Sequence, residues 1–335
     1  MISYISKKLF TGIAVTILGL TISGCTKPKE SKPAFDATPA ITMMSKEGLI
    51  EDSQAWEQVL KQTDHGKKIK TVKELSKALS AGNSHSWAVS SLGKIEHITQ
   101  PSTTTVGQLK IINVPAFYTN SAKKRQRYVK TLTKQVQQVR HDHSIILNFV
   151  HNTGGDVYPM VAGLSALIPN GTLWSDVDNH GKAFKVRLTK HQVTGGMAHD
   201  SEPLASTGKL LNKRIYVITD QTTASAAEFT IIALAHNPRV TIVGRDTAGA
   251  TSQNKTVVIG QHQAVAVITV GSITTSAPIN GKQTFNNDPI SPTFLPVYAP
   301  MPATDKADYT KQQPLDKDFL AELAAKIKSD AALTS

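Results

Sequence analysis

A serine at a predicted strand-to-helix turn is the residue of this sequence best placed to do chemistry. Ser225 follows the apolar segment 215–219 and precedes the helical pattern 229–235. The first N–H groups of such a helix and its partial positive charge can stabilise an oxyanion, so this serine could act as a nucleophile. Ser225 and Glu228 also fit a capping box, in which they only close the helix N-terminus. The turn alone leaves both functions open.

Two further loops follow predicted strands and contain the glycines that a ligand site needs. Asn152-Thr153-Gly154-Gly155 comes after the largely apolar segment 144–150, and adjacent glycines let backbone N–H groups approach a ligand closely. The loop 244–252 follows a third strand, 240–244. Strands that alternate with helices predict an α/β core. Loops at the carboxyl ends of successive strands can converge on one crevice.

The order and spacing of four motifs resemble the C-terminal-processing (tail-specific) serine peptidase family. That family includes the tricorn core and the repeats of interphotoreceptor retinoid-binding protein. The resemblance covers about residues 105–295 and implies a crotonase-like or ClpP-like ββα-type core, peptidase activity and no cofactor. The matching residues are Asn152-x-Gly154-Gly155, Pro159-Met160-x-x-Gly163-Leu164 with Pro169-x-Gly171, Thr223-Ala224-Ser225-Ala226-Ala227-Glu228, and Gly244-x-x-Thr247-x-Gly249.

By this resemblance Ser225 is the nucleophile that attacks a peptide carbonyl. The neighbouring motif residues take supporting roles. The backbone N–H groups of Ala226 and of Gly154 or Gly155 are expected to form the oxyanion hole. Asn152 and Glu228 are expected to support the site. Glu228 is interpreted as the cap of the helix, with substrate contact as an additional role.

The general base needs a separate argument. The processing-peptidase branch has a lysine directly after the glycine at 249, whereas this chain has Ala250, and Lys255 is out of register. Other branches use a histidine from an Asp-x-His-Ser-like motif. Here Asn83-Ser84-His85-Ser86 matches except at its acidic position. Because a serine hydroxyl needs a base to activate it, His85 is the predicted base, and the group that orients its ring stays open.

The N-terminus predicts a membrane-anchored lipoprotein. Lys7 and Lys8 precede the apolar segment 9–22, which is too short for a comfortable membrane span, and Ile22-Ser23-Gly24-Cys25 resembles a bacterial lipobox. Cys25 is the lipidation site by this resemblance; an ordinary secretory signal is the alternative. Since Cys25 is the single cysteine, an intrachain disulfide is excluded. The expected location is the outer face of a bacterial membrane.

The net charge of the chain limits the classes of binding partner that we expect. The net charge is +12, from 37 Lys and Arg against 25 Asp and Glu, which favours anionic surfaces. Nucleic acid is not predicted, because the basic residues are spread along the chain without a binding motif. The basic helical segment 122–140 is interpreted as a solvated face, with contact to a membrane or wall as the alternative. His141 and His143 form a polar strand entry, and no recognised spacing predicts a metal site.

The predicted organisation has four parts and one insertion. A signal peptide (1–24) and a flexible tether (25–44) precede a small helical region (45–84) and a peptidase core (85–335). The polar segment of about 174–211 is expected to bury little surface and to form a mobile cap over the cleft. The short stretch between His85 and the strand at Leu109 has no room for a PDZ domain. Together with the His85–Ser225 pair and the predicted membrane anchor, this resembles the nisin-resistance-protein-like subgroup of peptidases.

These observations predict a lipid-anchored serine endopeptidase with Ser225 as nucleophile and His85 as base. The subgroup resemblance extends this to degradation of lantibiotic antimicrobial peptides. The alternative is a catalytically inactive ligand-binding or wall-binding lipoprotein on the same fold, because fold does not fix function. The expected partners are a peptide or protein substrate and the membrane; the sequence does not give the oligomeric state.

Overall fold

The computed structural model describes residues 35–90, 97–260, 264–300 and 314–333. Cys25, the predicted signal peptide and most of the predicted tether therefore lie outside the described residues. Of the helices described, none has the length and apolar character needed to cross a membrane. The chain is of the α/β class, as predicted, and is built on two sheets.

A five-stranded sheet positions the serine loop and the glycine loop. Its order is β10-β9-β4-β3-β2, parallel except for the antiparallel pair β2–β3. Its strands are β2 (Ser102–Val106), β3 (Leu109–Asn113), β4 (Ser144–Asn148), β9 (Arg214–Thr219) and β10 (Val240–Gly244). Because β4, β9 and β10 run in parallel, the loops that follow them emerge at one edge, as the sequence predicted.

Helices cover both faces of this sheet. On one face lie α4 (Ala122–Gln138), α5 (Val157–Gly163) and α6 (Ala226–Leu234), and on the other lies α7 (Lys317–Ala332). Side chains alternate along the strands accordingly. In β9, Val217 joins the core under α4 to α6, while Tyr216 joins the core under α7.

The second sheet has eight strands and is antiparallel in its described pairings. Its order is β1-β12-β5-β6-β7-β8, and β11 and β13 also pair with the long strand β12. Its strands are β1 (Trp87–Ser90), β5 (Gly171–Asp178), β6 (Ala183–Leu188), β7 (Gln192–Gly195), β8 (Asp200–Pro203), β11 (Gln253–Ile259), β12 (Ala264–Ile279) and β13 (Lys282–Phe285). His85 lies just before β1, so this sheet positions the predicted base.

Three N-terminal helices pack on the second sheet, and the first of them begins within the predicted tether. They are α1 (Thr38–Glu47), α2 (Ser53–Thr63) and α3 (Val72–Gly82), and they share a core with β11 and β12. A flexible tether cannot extend to residue 44 as predicted, because α1 begins at Thr38 and buries Ile41 and Met44. The prediction missed α1 because its apolar stretch is short and follows a Lys- and Pro-rich segment.

The predicted cap is a four-stranded antiparallel meander, β5 to β8. The expectation that this segment buries little surface is wrong. Trp174, Val186, Leu188 and Val193 are at most 2% exposed and belong to the main core. Their alternation within short strands was hidden among polar residues and glycines. The role of the segment as a mobile cap over the cleft stays a prediction.

Candidate active site

Ser225 occupies a strained turn between β9 and α6. Its backbone has φ 55° and ψ −121°, a conformation that residues with a Cβ rarely adopt. Such a conformation costs roughly 1–3 kcal/mol and persists only where the surrounding contacts enforce it. Strained serine turns of this kind present the hydroxyl of a nucleophile at the end of a strand. A serine that served only as a helix cap would not need this strain.

A buried carboxylate holds the turn. Glu228 is fully buried and accepts hydrogen bonds from the backbone N–H groups of Ser225 (2.8 Å), Gly249 (2.9 Å) and Ala250 (2.8 Å). The Thr247 hydroxyl also donates to it. Burial raises the pKa of Glu228 to about 7, while the four donors oppose that rise. Glu228 thus joins the serine turn to the loop after β10.

The glycine loop lies directly against the serine turn. A Cβ on Gly154, which has φ +100°, would lie 2.8 Å from the Ser225 Cβ and 3.0 Å from the Ala226 nitrogen. Only glycine permits this approach. The loop is fixed by Asn152, whose Oδ1 accepts the Gly154 N–H (2.9 Å) and whose backbone oxygen accepts the Ala224 N–H (2.9 Å). Asn152 is itself completely buried.

These contacts separate the two candidate glycines. Gly154 already donates its N–H to Asn152, whereas no described residue accepts the N–H of Gly155. Ala226 is the first residue of α6, where N–H groups lack partners within the helix. The pair best suited to bind an oxyanion is therefore Ala226 and Gly155. Sequence reasoning left Gly154 and Gly155 as alternatives because it could not assign the Asn152 side chain.

An ion-pair cluster adjoins this loop and was not predicted. Asp156 follows Gly155, and its carboxylate lies 3.2 Å from the Arg125 guanidinium. The same guanidinium pairs with Asp200 (3.0 Å) and Glu202 (2.6 Å) of β8. Burial raises the pKa of Asp156 to about 7, with Arg125 opposing the rise. Arg125 thus connects α4, the loop beside Gly155 and the edge strand of the second sheet.

His85 is positioned by the turn that ends α3. Asn83 is buried; its Oδ1 accepts the His85 backbone N–H (2.9 Å), and its Nδ2 donates to the Leu49 carbonyl (2.9 Å). Asn83, which stands at the acidic position of the family motif, therefore supports the backbone and does not orient the ring. Burial lowers the pKa of His85, so the imidazole is neutral near pH 7, as a base requires.

Two carboxylates act on the His85 ring through their charge. Glu51 and Asp288 both raise the pKa of His85, against the larger effect of burial. Glu51 also accepts hydrogen bonds from the Ser84 N–H and hydroxyl, both at 3.1 Å. Asp288 was missed by sequence reasoning because nothing near it in the sequence marks it as functional.

The Asp288 segment links the His85 region to the serine turn. The Asp288 N–H donates to the Thr251 hydroxyl, and that hydroxyl donates to the Asp288 carbonyl, both at 2.9 Å. Thr251 belongs to the loop that Glu228 holds through Gly249 and Ala250. In the described residues the His85 ring forms no hydrogen bond with Ser225. The two are connected through this shared loop.

Lys255, the other basic side chain considered as a base, is engaged elsewhere. Its ammonium pairs with Glu47 of α1, and 42% of its side-chain surface is exposed. In the described part of the chain, no group of three or more His, Cys, Asp and Glu side chains could hold a metal ion. Asp142, between the two histidines that precede β4, pairs instead with Lys110 at 3.1 Å.

A strained serine turn, a glycine loop and backbone donors on an α/β scaffold are typical of hydrolases that act on acyl groups. Residues 108–294 match the model of peptidase family S41, and the chain belongs to this family. The predicted resemblance to this peptidase family and the predicted α/β fold class are both confirmed.

Two comparisons extend this assignment. The chain is 29% identical over 266 residues to a nisin-resistance protein from Lactococcus lactis subsp. lactis, covering 76% of this chain and 80% of the relative. It also resembles the solved structure of a lipoprotein from Streptococcus agalactiae, with a TM-score of 0.65 and 20% identity. That likeness covers 93% of this chain and all of the other, and it concerns the fold.

Proposed function

We propose that this protein is a cell-surface, lipid-anchored serine endopeptidase whose nucleophile is Ser225 and whose general base is His85. The observation that carries the proposal is the strained backbone of Ser225, enforced by Glu228 and placed against Gly154. Acylation of Cys25, which lies outside the described residues, supplies the proposed anchor. The lipidated cysteine is inferred from the lipobox-like sequence alone.

The reaction follows from the roles of these groups. Ser225 Oγ attacks the substrate carbonyl while His85 accepts the hydroxyl proton, and the N–H groups of Ala226 and Gly155 stabilise the oxyanion. His85 then donates the proton to the leaving amine, which leaves an acyl-enzyme. A water molecule, deprotonated by His85, hydrolyses this intermediate. The negative charges of Glu51 and Asp288 stabilise the imidazolium that forms in each step.

The proposed substrate class is a cationic antimicrobial peptide of the lantibiotic type. The name of the Lactococcus relative supports this class. The overall charge of +12 opposes the approach of a cation. Beside Gly155, however, carboxylates outnumber the Arg125 guanidinium three to one, and the excess negative charge is largest above the pKa of about 7 that burial gives Asp156. A cationic side chain on the substrate would therefore be favoured there.

A fluorophosphonate probe tests the nucleophile. The wild-type protein should be labelled and should cleave a lantibiotic, whereas Ser225→Ala should do neither. Ser165→Ala is a matched control, since Ser165 is a buried serine of the same domain. Labelling that persists in Ser225→Ala would refute the assignment of the nucleophile. A folded wild-type protein that is neither labelled nor active would favour the inactive binding lipoprotein.

A further inference from the structure

Helix α4 carries an exposed row of positive charge on one side. Lys123, Arg127, Lys130 and Lys134 are all exposed and are spaced four, three and four residues apart. At this spacing side chains share one face of a helix, and eleven residues span about 16 Å. These four residues are called the cationic stripe below. The opposite side of α4, including Val129 and Leu132, is buried in the main core, which fixes the orientation of the stripe.

No acid balances this charge. Helix α4 contains no Asp or Glu, and no described carboxylate forms an ion pair with any of the four residues. Arg125, on the same helix, does have acidic partners, because it faces β8 and the glycine loop. On this helix Arg125 is thus neutralised toward the site, whereas the four stripe residues face solvent without an acidic partner among the described residues.

The arrangement works against the helix itself. Like charges three or four residues apart destabilise a helix, and the stripe contains three such neighbouring pairs. The first turn of α4 is basic and has no acidic residue, although the positive end of the helix dipole favours acids there. A helix that keeps this charge despite both effects gains nothing in stability from it. The charge is better explained by an external partner.

We propose that the cationic stripe binds the anionic phospholipid surface of the membrane. A straight, exposed row of cations is complementary in charge to phosphate headgroups. The proposed surface location also favours this partner, since a chain anchored there would have the bilayer within reach. The inference does not require peptidase activity. Binding through the stripe would place the positively charged enzyme on the same anionic surface that concentrates cationic peptides. The membrane would thus bring enzyme and substrate together, although they repel each other in solution.

Vesicle co-sedimentation tests the stripe without the lipid anchor. All members of the three hydrophobic clusters lie between residues 35 and 327. A chain of residues 26–335 therefore retains every described core and can be used in the vesicle assay. It should bind vesicles of equimolar phosphatidylcholine and phosphatidylglycerol, and added salt should release it. Replacing all four stripe residues by Gln should weaken binding roughly 100-fold or more.

A charge-matched variant separates the stripe from net charge. Lys61, Lys68, Lys73 and Lys77 are also exposed, and replacing them by Gln removes the same number of charges from α2, α3 and the turn between them. This control should keep most of the binding. Equal losses in the two variants would overturn the proposal, because net charge alone would then explain the binding.

Three further measurements complete the test. Thermal unfolding of the stripe variant should show a melting temperature equal to or above that of the wild type, because like-charge repulsion is relieved. A marked fall would overturn the proposal, because the stability of the fold would then explain the stripe. Wild-type binding to soluble poly(glycerol phosphate) but not to vesicles would overturn the lipid assignment in favour of a wall polymer. Ser225→Ala should bind vesicles like the wild type, so this result is independent of the proposed catalysis.

Discussion

Ser225, the proposed nucleophile, and His85, the proposed base, lie in regions that hold these side chains differently. The serine turn is fixed by short-range contacts: a strained backbone, a fully buried Glu228 and a glycine loop held by Asn152. The His85 backbone is fixed by Asn83, but its ring forms no hydrogen bond with any described residue and is influenced by Glu51 and Asp288 through charge. The Ser225 turn is thus fixed by several direct hydrogen bonds, whereas the His85 ring has none with a described residue.

This difference suits the proposed reaction. An oxyanion hole contributes only if its donors are already in place when charge develops, so the serine region needs a rigid framework. A general base must exchange a proton with the nucleophile, the leaving group and water in turn. Catalytic hydrogen bonds often tighten only when substrate binds, so an imidazole without a fixed partner is compatible with its role. Mutations should therefore affect the two regions differently.

The largest effect is expected from His85→Ala. Without the base, only the oxyanion hole and substrate binding assist the reaction, so kcat should fall by about 10³ or more. Because the ring makes no hydrogen bond to a described residue, thermal unfolding should change little. His180→Ala, at an exposed histidine, is the control. Wild-type turnover in His85→Ala would contradict the assignment of the base.

Glu228→Gln should have a smaller effect on turnover but a clear effect on stability. An amide replaces one carboxylate oxygen and places donors against the N–H groups of Ser225, Gly249 and Ala250. Loss of one charge-assisted hydrogen bond should cost about 1.5–3 kcal/mol of stability. Because a shifted turn misplaces the Ser225 hydroxyl, kcat should fall roughly 10- to 100-fold, with KM little changed. Steady-state kinetics and thermal unfolding measure both effects; Glu57→Gln, at an exposed site, is the control. Unchanged kcat would show that the turn does not depend on Glu228.

Asp288→Asn should shift the pH dependence of the reaction. The pKa of His85 is lowered by burial, so kcat/KM should be fully developed at neutral pH and should fall as the imidazole is protonated below its usual pKa of about 6.5. Since the Asp288 charge raises that pKa, its removal should move the acid limb to still lower pH. The loss of kcat at neutral pH should be fivefold at most, the scale of a partly screened charge pair.

A pH–rate profile of kcat/KM measures this shift, with Asp246→Asn as the control, because Asp246 is an exposed acid of the loop after β10. An acid limb that stays in place would exclude Asp288 as an electrostatic partner of His85. The same pH–rate profile for Glu51→Gln shows which of the two carboxylates shifts the pKa of His85 further.

The two regions also differed in what the sequence could predict. Ser225 and Glu228 are three residues apart, as are Asn152 and Gly155, so motifs of local spacing identified the serine region and the α/β core around it. The partners of the other groups lie far along the chain. Arg125 contacts Glu202 across 77 positions, and Thr251 contacts Asp288 across 37. No local pattern marks such pairs, which depend on how the two sheets are brought together.

Lys255→Ala gives the smallest expected effect and separates the two candidate bases. The Lys255 ammonium already pairs with Glu47, and its surroundings are partly exposed, so removing the pair should cost less than about 1 kcal/mol of stability. Turnover should stay within about twofold of the wild type, because an exposed pair of this kind has little influence on the reaction. Glu47→Gln, which breaks the same pair from the other side, should behave alike. If Lys255→Ala abolished activity while Glu47→Gln and His85→Ala did not, lysine would be the base. The strained serine turn would then serve a Ser–Lys mechanism, and the region around His85 would have only a structural role.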